Sequence, residues 1–591
     1  MALLQLKASD RASWGDAVLR AAGRPAILAA CATGLLALAY VMTAGAGLSE
    51  MLGDTDDAVR LLTVRELLAG GSYFDTTLAR IGAPEPLVSH WSRLIDVQLA
   101  ALILVLQPFL GAELAETAVR AVWPLLLFFT LALIVSRDVA RRAGAQAPLI
   151  AMVLVFTCGY AIVQFKPGRI DHHNAQILCA VAGLLFLFRS LSEPRMGWLA
   201  GAFLGVGLAI GYEAIALVVP MLALAGLLYV MSPDQSRGLM NAILATTGTL
   251  ALCLLLTTAP SAWLVAHCDA LSVNLIALAA GPALALWIVS RVQVSLPARF
   301  ALVAAGAGIG GLLFALAEPK CLAGPFGAVD PALRALWLDH VAETQSLVAF
   351  ARKFPASGLP QIAFLLMGVA IHLYLAWKRR DAETVMAAAC TLLAAGLGFW
   401  QIKLTPYVSW LVVVPMTVFA ATLGGTGAIS PTVLRIFAVL MLSQTTIGAA
   451  ISTVMDASSE TTAAETAQSA RADACHKTRT VRELSRFEPG LVAAEIDLGA
   501  YVAALTPHRV VAAPYHRLDK GILALNAVMT GPEDTARTVL RELGVSYIAL
   551  CAAEADKAPR TLRQRLIAGQ AGPGFEELPL SSSDLRVWRV H

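Results

Sequence analysis

The sequence is poor in charge. Only 14% of its 591 residues are Asp, Glu, Lys or Arg, whereas 58% are hydrophobic. Soluble domains carry about a quarter charged residues, so a large water-soluble core is excluded and a polytopic membrane protein is implied. The formal net charge of +3 is too small to argue for nucleic acid as a partner. Patterned cysteine is missing as well. None of the nine cysteines forms a CxxC pair, and Cys31, Cys158, Cys179, Cys253 and Cys390 lie inside apolar runs, where the thiol acts as a small hydrophobe. No zinc knuckle or disulfide framework follows from them. A repeat of fixed period is also missing.

Long apolar runs are abundant. About thirteen reach the roughly 20 residues that cross a hydrocarbon core. They lie near 26–46, 117–136, 147–165, 174–191, 196–213, 214–231, 238–258, 270–290, 300–318, 359–377, 384–402, 405–424 and 433–455. The run 97–111 is too short to count and reads as an interfacial helix or part of an extra hairpin. The first run follows a long polar leader and is expected to be an uncleaved anchor. With thirteen spans, the basic loop residues fall on one side: Lys7, Arg11, Arg20, Arg24, Arg137, Arg141, Arg142, Arg195, Arg237, Arg291, Arg299, Lys378, Arg379, Arg380 and Arg435. The positive-inside rule makes that side cytoplasmic, the N-terminus included. The expected protein is therefore integral to the inner or plasma membrane. Its membrane part is 1–455, its external loops are 47–119, 166–173 and 319–358, and an external domain spans 456–591.

That last region is far more polar. It opens on a Ser/Thr/Ala-rich linker, Asp456 to Ala470, and then shows strand-length apolar segments at Leu491–Ile496, Val510–Ala513 and Val545–Leu550. Glu533 to Leu543 reads as a helix between Gly531-Pro532 and Gly544. Helix followed by strand predicts a small α/β domain. Cys475 and Cys551 fall within it, so a disulfide is possible in an oxidising compartment.

The chemistry collects in the external loops. Gly168-Arg169-Ile170-Asp171-His172-His173-Asn174 places a carboxylate and two imidazoles between two spans. Ionisable groups near a membrane mark a functional site unless they simply meet water. A divalent cation needs converging oxygen or imidazole ligands, and Asp171 and His173, two apart in an extended loop, point the same way. Asp54, Asp56 and Asp57 offer carboxylates from the first loop, and Glu343 offers another from the third. A bound Mg²⁺ or Mn²⁺ would stabilise charge developing on a phosphate leaving group. Lys403, at the external end of a span, would pair with that phosphate or snorkel to the headgroups. His90, His267, His340 and His372 lack sequence partners and read as structural.

Taken together, these segments resemble the catalytic subunit of oligosaccharyltransferase, a glycosyltransferase of the GT-C class. That family has thirteen spans and an external C-terminal domain. Its first-loop Asp and the Arg six residues on are matched by Asp54 and Arg60. Its acidic second-loop motif is matched by Asp171-His172-His173, and its Ser/Thr-Val/Ile-x-Glu motif is similar to His340-Val341-Ala342-Glu343. An Arg-Phe that contacts the lipid diphosphate corresponds to Lys403-Leu404, and Glu533 to Leu550 resembles the family's helix-then-strand segment. Three features depart from the pattern. His340 replaces a hydroxyl residue, and Lys403 replaces Arg, losing bidentate geometry. The Trp-Trp-Asp-Tyr-Gly motif that recognises a peptide acceptor is missing, and Ala513-Pro514-Tyr515-His516-Arg517 stands in its place.

The resemblance implies a polytopic α-helical GT-C protein that takes a polyprenyl-phosphate or -diphosphate sugar on the external face. The acceptor is expected to be a glycan, lipid or protein site other than an Asn sequon. Asp54, Asp57, Asp171 and Glu343 are the expected catalytic carboxylates. Asp54, Asp56, Asp171, His172, His173 and Glu343 form the expected metal set. Arg60, Lys403, Tyr515, His516 and Arg517 are expected to bind substrate. The alternatives are a lipid-linked-sugar transporter or flippase, or a non-catalytic assembly subunit. A transporter would line a path inside the spans with ionisable groups. Here Glu213 is the main such residue.

Overall fold

The structure, a computed structural model, describes residues 24–44, 52–425, 429–455, 474–552, 560–570 and 572–591. The basic residues Lys7, Arg11 and Arg20 and the linker Asp456 to Ala470 lie outside the described residues. Among the described residues, nine helices are long and apolar enough to cross a membrane, or eleven if each of two bent pairs is one span. His173–Arg189, Met196–Ile210 and Val273–Val289 are shorter apolar helices. The run judged too short is an 18-residue helix, Arg93–Leu110. Its first turn contains Arg93 and Asp96, which pair with each other and so extend the helix beyond its apolar stretch.

Helix burial differs sharply across the membrane part. Ile402–Ala421 is 94% buried and forms the hub against which Ala147–Phe156 and Pro355–Arg379 pack. Leu296–Ala317 is only 6% buried and leans chiefly on Val273–Val289. That pair meets backbone to backbone, since a Cβ added at Gly281 would lie 2.2 Å from the carbonyl oxygen of Gly306. Small residues at such contacts let membrane helices associate without a hydrophobic driving force.

Two spans are broken, and one polar chain ties them together. Ala147–Phe156 and Gly159–Phe165 meet at 94°, and Pro431–Leu442 and Gln444–Met455 at 58°. The Gly159 amide, freed by the first break, donates to Gln444 Oε1 at 3.1 Å. Gln444 in turn donates to Gln361, whose amide donates to Ser409 Oγ at 3.0 Å. A backbone group released inside a membrane must find such a partner. The first bend leads the chain into the segment Lys166 to Asn174.

The C-terminal part is built on a five-stranded mixed sheet with strand order Arg509–Val510, Leu491–Ala494, Tyr547–Cys551, Leu585–Val590 and Phe575–Leu578. The first three strands are parallel, and the last two join in antiparallel fashion. The helix Glu533–Leu543 forms as predicted, closed by Gly544 with φ +68°. The expected strand Val510–Ala513 shortens to Arg509–Val510, and the chain bends from Val511 onward. The final hairpin was not foreseen from the sequence.

Sheet and first loop form one body. The Gly82 and Ala83 amides donate to the Val510 and Val511 carbonyls at 2.9 and 3.0 Å, and the Val510 amide donates to the Arg80 carbonyl at 2.9 Å. Ala58, Val59 and Leu62, from the helix Thr55–Leu68, are buried in the same apolar cluster as the sheet. Cys475 pairs with Cys551. A second disulfide, Cys268–Cys321, joins two segments of the same face.

Candidate active site

The first loop owes its shape to its own carboxylates. Asp54 caps the helix Thr55–Leu68, with Oδ1 accepting the Asp56 and Asp57 amides at 3.0 and 3.2 Å. Asp57 Oδ2 returns the contact, accepting the Asp54 amide at 3.0 Å and completing a capping box. Asp57 Oδ1 accepts the Ile170 and Asp171 amides at 2.6 and 2.9 Å. The fully buried Asp57 thus fastens the second loop to the first.

Arg169 fills the space between them. Its guanidinium pairs with Asp54 and Asp171, lies 3.1 Å from Asp57 Oδ2 and donates to Gln164 Oε1 at 2.7 Å. Burial pushes the Asp57 carboxyl well up, opposed by Arg169 and helped by Asp54. Burial also pushes Asp171 up, but Arg169 and His173 outweigh it and hold this carboxyl well below the usual range. One shared cation therefore stabilises a buried acidic cluster.

Around this floor opens a cavity of about 890 Å³ between the membrane helices and the C-terminal sheet region. Asp54, Asp56, His172, His173, Glu213, Glu343, Lys403, Tyr515 and His516 line it. Ligand atoms of Asp56, Asp171 and His173 lie within 4.8 Å of one another, as do those of Asp54, Asp57 and Asp171. Burial, then the nearby Asp54 charge, pushes the Asp56 carboxyl up to about 7. Tyr515 donates to Asp56 Oδ1 at 2.8 Å. His173 Nδ1 contacts Asp171 Oδ2 at 3.1 Å, and His172 Nε2 lies 3.3 Å from Glu213 Oε1 without hydrogen-bond alignment. Lys403 sits in the short turn Ile402–Leu404, and its ammonium has no hydrogen bond or ion pair among the described residues. Glu343 lies on the same wall but joins neither ligand cluster.

Two expected substrate residues take other places. Arg60 is fully buried, paired with Asp96 and stacked 4.4 Å beneath the Trp91 ring, so it supports the wall rather than facing substrate. Arg517 does not line the cavity. It makes a bidentate pair with Asp269, both contacts 2.6 Å, and donates to the Val88 carbonyl at 3.2 Å. His516 Nε2 meets the same carboxylate at 2.7 Å. His90, expected to be structural, also faces the cavity, with its ring 4.8 Å from that of His516.

Sequence reading missed Arg169, Trp91 and Asp269. Arg169 was visible beside the Asp171 motif. Its role depends also on Asp54 and Asp57, more than a hundred positions away, which no spacing signals.

No family profile matches the sequence, and no curated protein matches it. Solved structures do match in fold. Archaeal oligosaccharyltransferase AglB from Archaeoglobus fulgidus, in complex with an inhibitory peptide and a dolichol-phosphate, superposes with TM-score 0.64 at 14% identity, over 89% of this chain and 69% of that one. The Archaeoglobus fulgidus oligosaccharyltransferase tethered with an acceptor peptide containing the NVT sequon matches at TM-score 0.60 and 15% identity, over the same shares. Its complex with zinc and sulfate matches at 0.54 and 14% identity, over 88% and 68%. The chain therefore has the GT-C fold of the oligosaccharyltransferases.

Proposed function

We propose that this protein is a membrane glycosyltransferase. It takes a sugar or oligosaccharide from a polyprenyl-phosphate or -diphosphate donor and passes it to an acceptor other than the Asn of a sequon. The observation that carries this reading is convergence. Three loops and a span end, far apart in sequence, bring Asp54, Asp56, His173, Glu343 and Lys403 to one cavity. The shared fold adds support, since the neighbour of that fold is held with a dolichol-phosphate.

Asp56, Asp171 and His173 would hold a divalent cation, Mg²⁺ or Mn²⁺. Two carboxylates and one imidazole suit such ions, and the cluster borders the cavity. Asp54, Asp57 and Asp171 do not fit a second ion, because Arg169 already occupies their centre. When bound, the cation supplies Lewis-acid stabilisation of the leaving phosphate. The chain's own residues do the rest. Lys403 holds a phosphate oxygen as a point charge. Glu343 borders the path of the incoming acceptor. Asp57 and Arg169 keep the two acidic loops in register.

The acceptor reading rests on what replaces the peptide motif. Tyr515 is committed to Asp56 and Arg517 to Asp269, so neither side chain is free to grip a sequon hydroxyl. The cavity is read as external, and both disulfides lie on that side, as an oxidising compartment requires. Domain limits 1–455 and 456–591 belong to the same proposal. Mass spectrometry of cell-envelope glycans and glycoproteins, with and without the protein, tests it. A glycan or glycoconjugate lacking a sugar in the deletion strain is expected. An unchanged envelope, or loss of sugar from Asn sequons, overturns it.

A further inference from the structure

The far wall of the cavity carries chemistry that the donor half does not use. His516 Nε2 lies 2.7 Å from Asp269 Oδ2. A carboxylate is acceptor-only, so in the neutral imidazole Nε2 carries the proton and Nδ1 is left with its lone pair. Among the described residues no hydrogen bond engages Nδ1, and the ring borders the cavity.

The carboxylate is itself fixed. Arg517 grips both of its oxygens, and the neighbouring Cys268–Cys321 disulfide anchors the segment that bears it. Burial pushes Asp269 up, but Arg517 and His516 hold it well below the usual carboxylate range, so it stays charged. The groups facing His516 are Asp269, Arg517 and His90, with His267 and Glu213 further out. Burial and the nearby His516 push the His90 imidazole down to about 3, so it adds no positive charge. Aromatic rings complete the wall: Phe326 meets His516 edge-on at 5.1 Å, and Trp91 meets Tyr515 at 5.4 Å.

We propose that His516, oriented by Asp269, is the general base that takes a proton from a sugar hydroxyl of a glycan acceptor. This rests on the glycosyltransferase reading above and names its acceptor. The acceptor O–H proton passes to His516 Nδ1. The oxygen forms a bond to the anomeric carbon while the bond from that carbon to the donor phosphate oxygen breaks. The electron pair leaves with the lipid phosphate. An imidazole suits an alcohol but not an amide nitrogen, whose proton is far harder to remove. The aromatic wall suits the face of a sugar ring. Asp269 is a positioning residue, as a carboxylate behind a catalytic imidazole is elsewhere.

Azide separates this role from a structural one, because it is already an anion and needs no base. Membranes from cells lacking the protein supply the lipid-linked donor and the unmodified acceptor. Purified parent protein should transfer sugar to the acceptor and, with sodium azide added, form glycosyl azide. His516→Gln should lose about 100-fold or more in acceptor transfer. It should still make glycosyl azide at a rate close to that of the parent. Asp269→Asn should shift the ratio of the two products in the same direction by a smaller factor. Equal loss of both products in His516→Gln, or loss of neither, overturns the base assignment. Sugar found on an Asn side chain, a protein hydroxyl or a lipid alcohol overturns the acceptor. No donor turnover by the parent in either assay overturns the glycosyltransferase reading itself and this proposal with it.

Discussion

Two carboxylate clusters share Asp171, yet they differ in what neutralises them. Asp54, Asp57 and Asp171 surround the Arg169 guanidinium, and Asp57 spends both oxygens on backbone amides. Asp56, Asp171 and His173 have no guanidinium at their centre; there Asp171 faces the His173 imidazole, which, against the effect of burial, it pushes up to about 10, and two of the three residues line the cavity. The first cluster is a fastener, and the second is available to a ligand. An acidic cluster thus stays open to a ligand only where the protein has not already filled it.

Asp171 belongs to both clusters, so its removal should have the largest effect. Asp171→Asn should lower sugar transfer by about 1,000-fold, since both the ion and the loop register are lost. It should also lower the thermal midpoint, readable by a thiol-independent melting assay. Near-parent activity would show that the two clusters are not linked through this residue.

Arg169→Gln attacks only the closed cluster. Removing one partner of a buried ion pair costs roughly 3–5 kcal/mol. The variant should melt earlier, and added Mn²⁺ should partly restore its midpoint by filling the vacated centre. An unshifted midpoint would mean that the guanidinium does not hold the loops.

Asp56→Asn attacks only the open cluster. Activity should fall by about 100-fold while the melting midpoint stays near that of the parent. Bound Mn²⁺ counted by electron paramagnetic resonance should drop with it. A large loss of stability would return Asp56 to the fastener class.

The smallest effect is expected at Lys403, which has no partner to lose among the described residues. Lys403→Ala should weaken donor use by about tenfold, seen mainly in KM, and Lys403→Arg by less. Equal kinetics for the Ala variant and the parent would leave this side chain with the headgroups.

The same contrast explains how much was legible beforehand. Apolar runs and basic loops disclosed a polytopic helical chain, because hydropathy is a local property. The helix Glu533–Leu543 and its stop at Gly544 were readable for the same reason. The cavity carboxylates stood out as charges where apolar residues belong. What escaped were pairings across the chain. Arg60 follows the family spacing from Asp54, yet its side chain is taken by Asp96 and Trp91. Arg517 was expected to meet substrate and meets Asp269 instead, a residue 248 positions away. The apolar run 97–111 is too short by itself to cross a membrane, and the helix reaches 18 residues only by starting at Arg93, where Asp96 pairs with both Arg93 and Arg60. Spacing discloses which face a residue shares, whereas tertiary packing decides which partner claims it.

The central claim is that the open cluster serves metal-assisted sugar transfer. The direct measurement is release of lipid phosphate and transfer of sugar by the purified protein, using the cell's own lipid-linked donors, before and after chelation with EDTA. Transfer that stops on chelation and returns with Mn²⁺ or Mg²⁺ in the parent, but not in Asp56→Asn, is the predicted result. Transfer indifferent to chelation, or no consumption of donor at all, would contradict it.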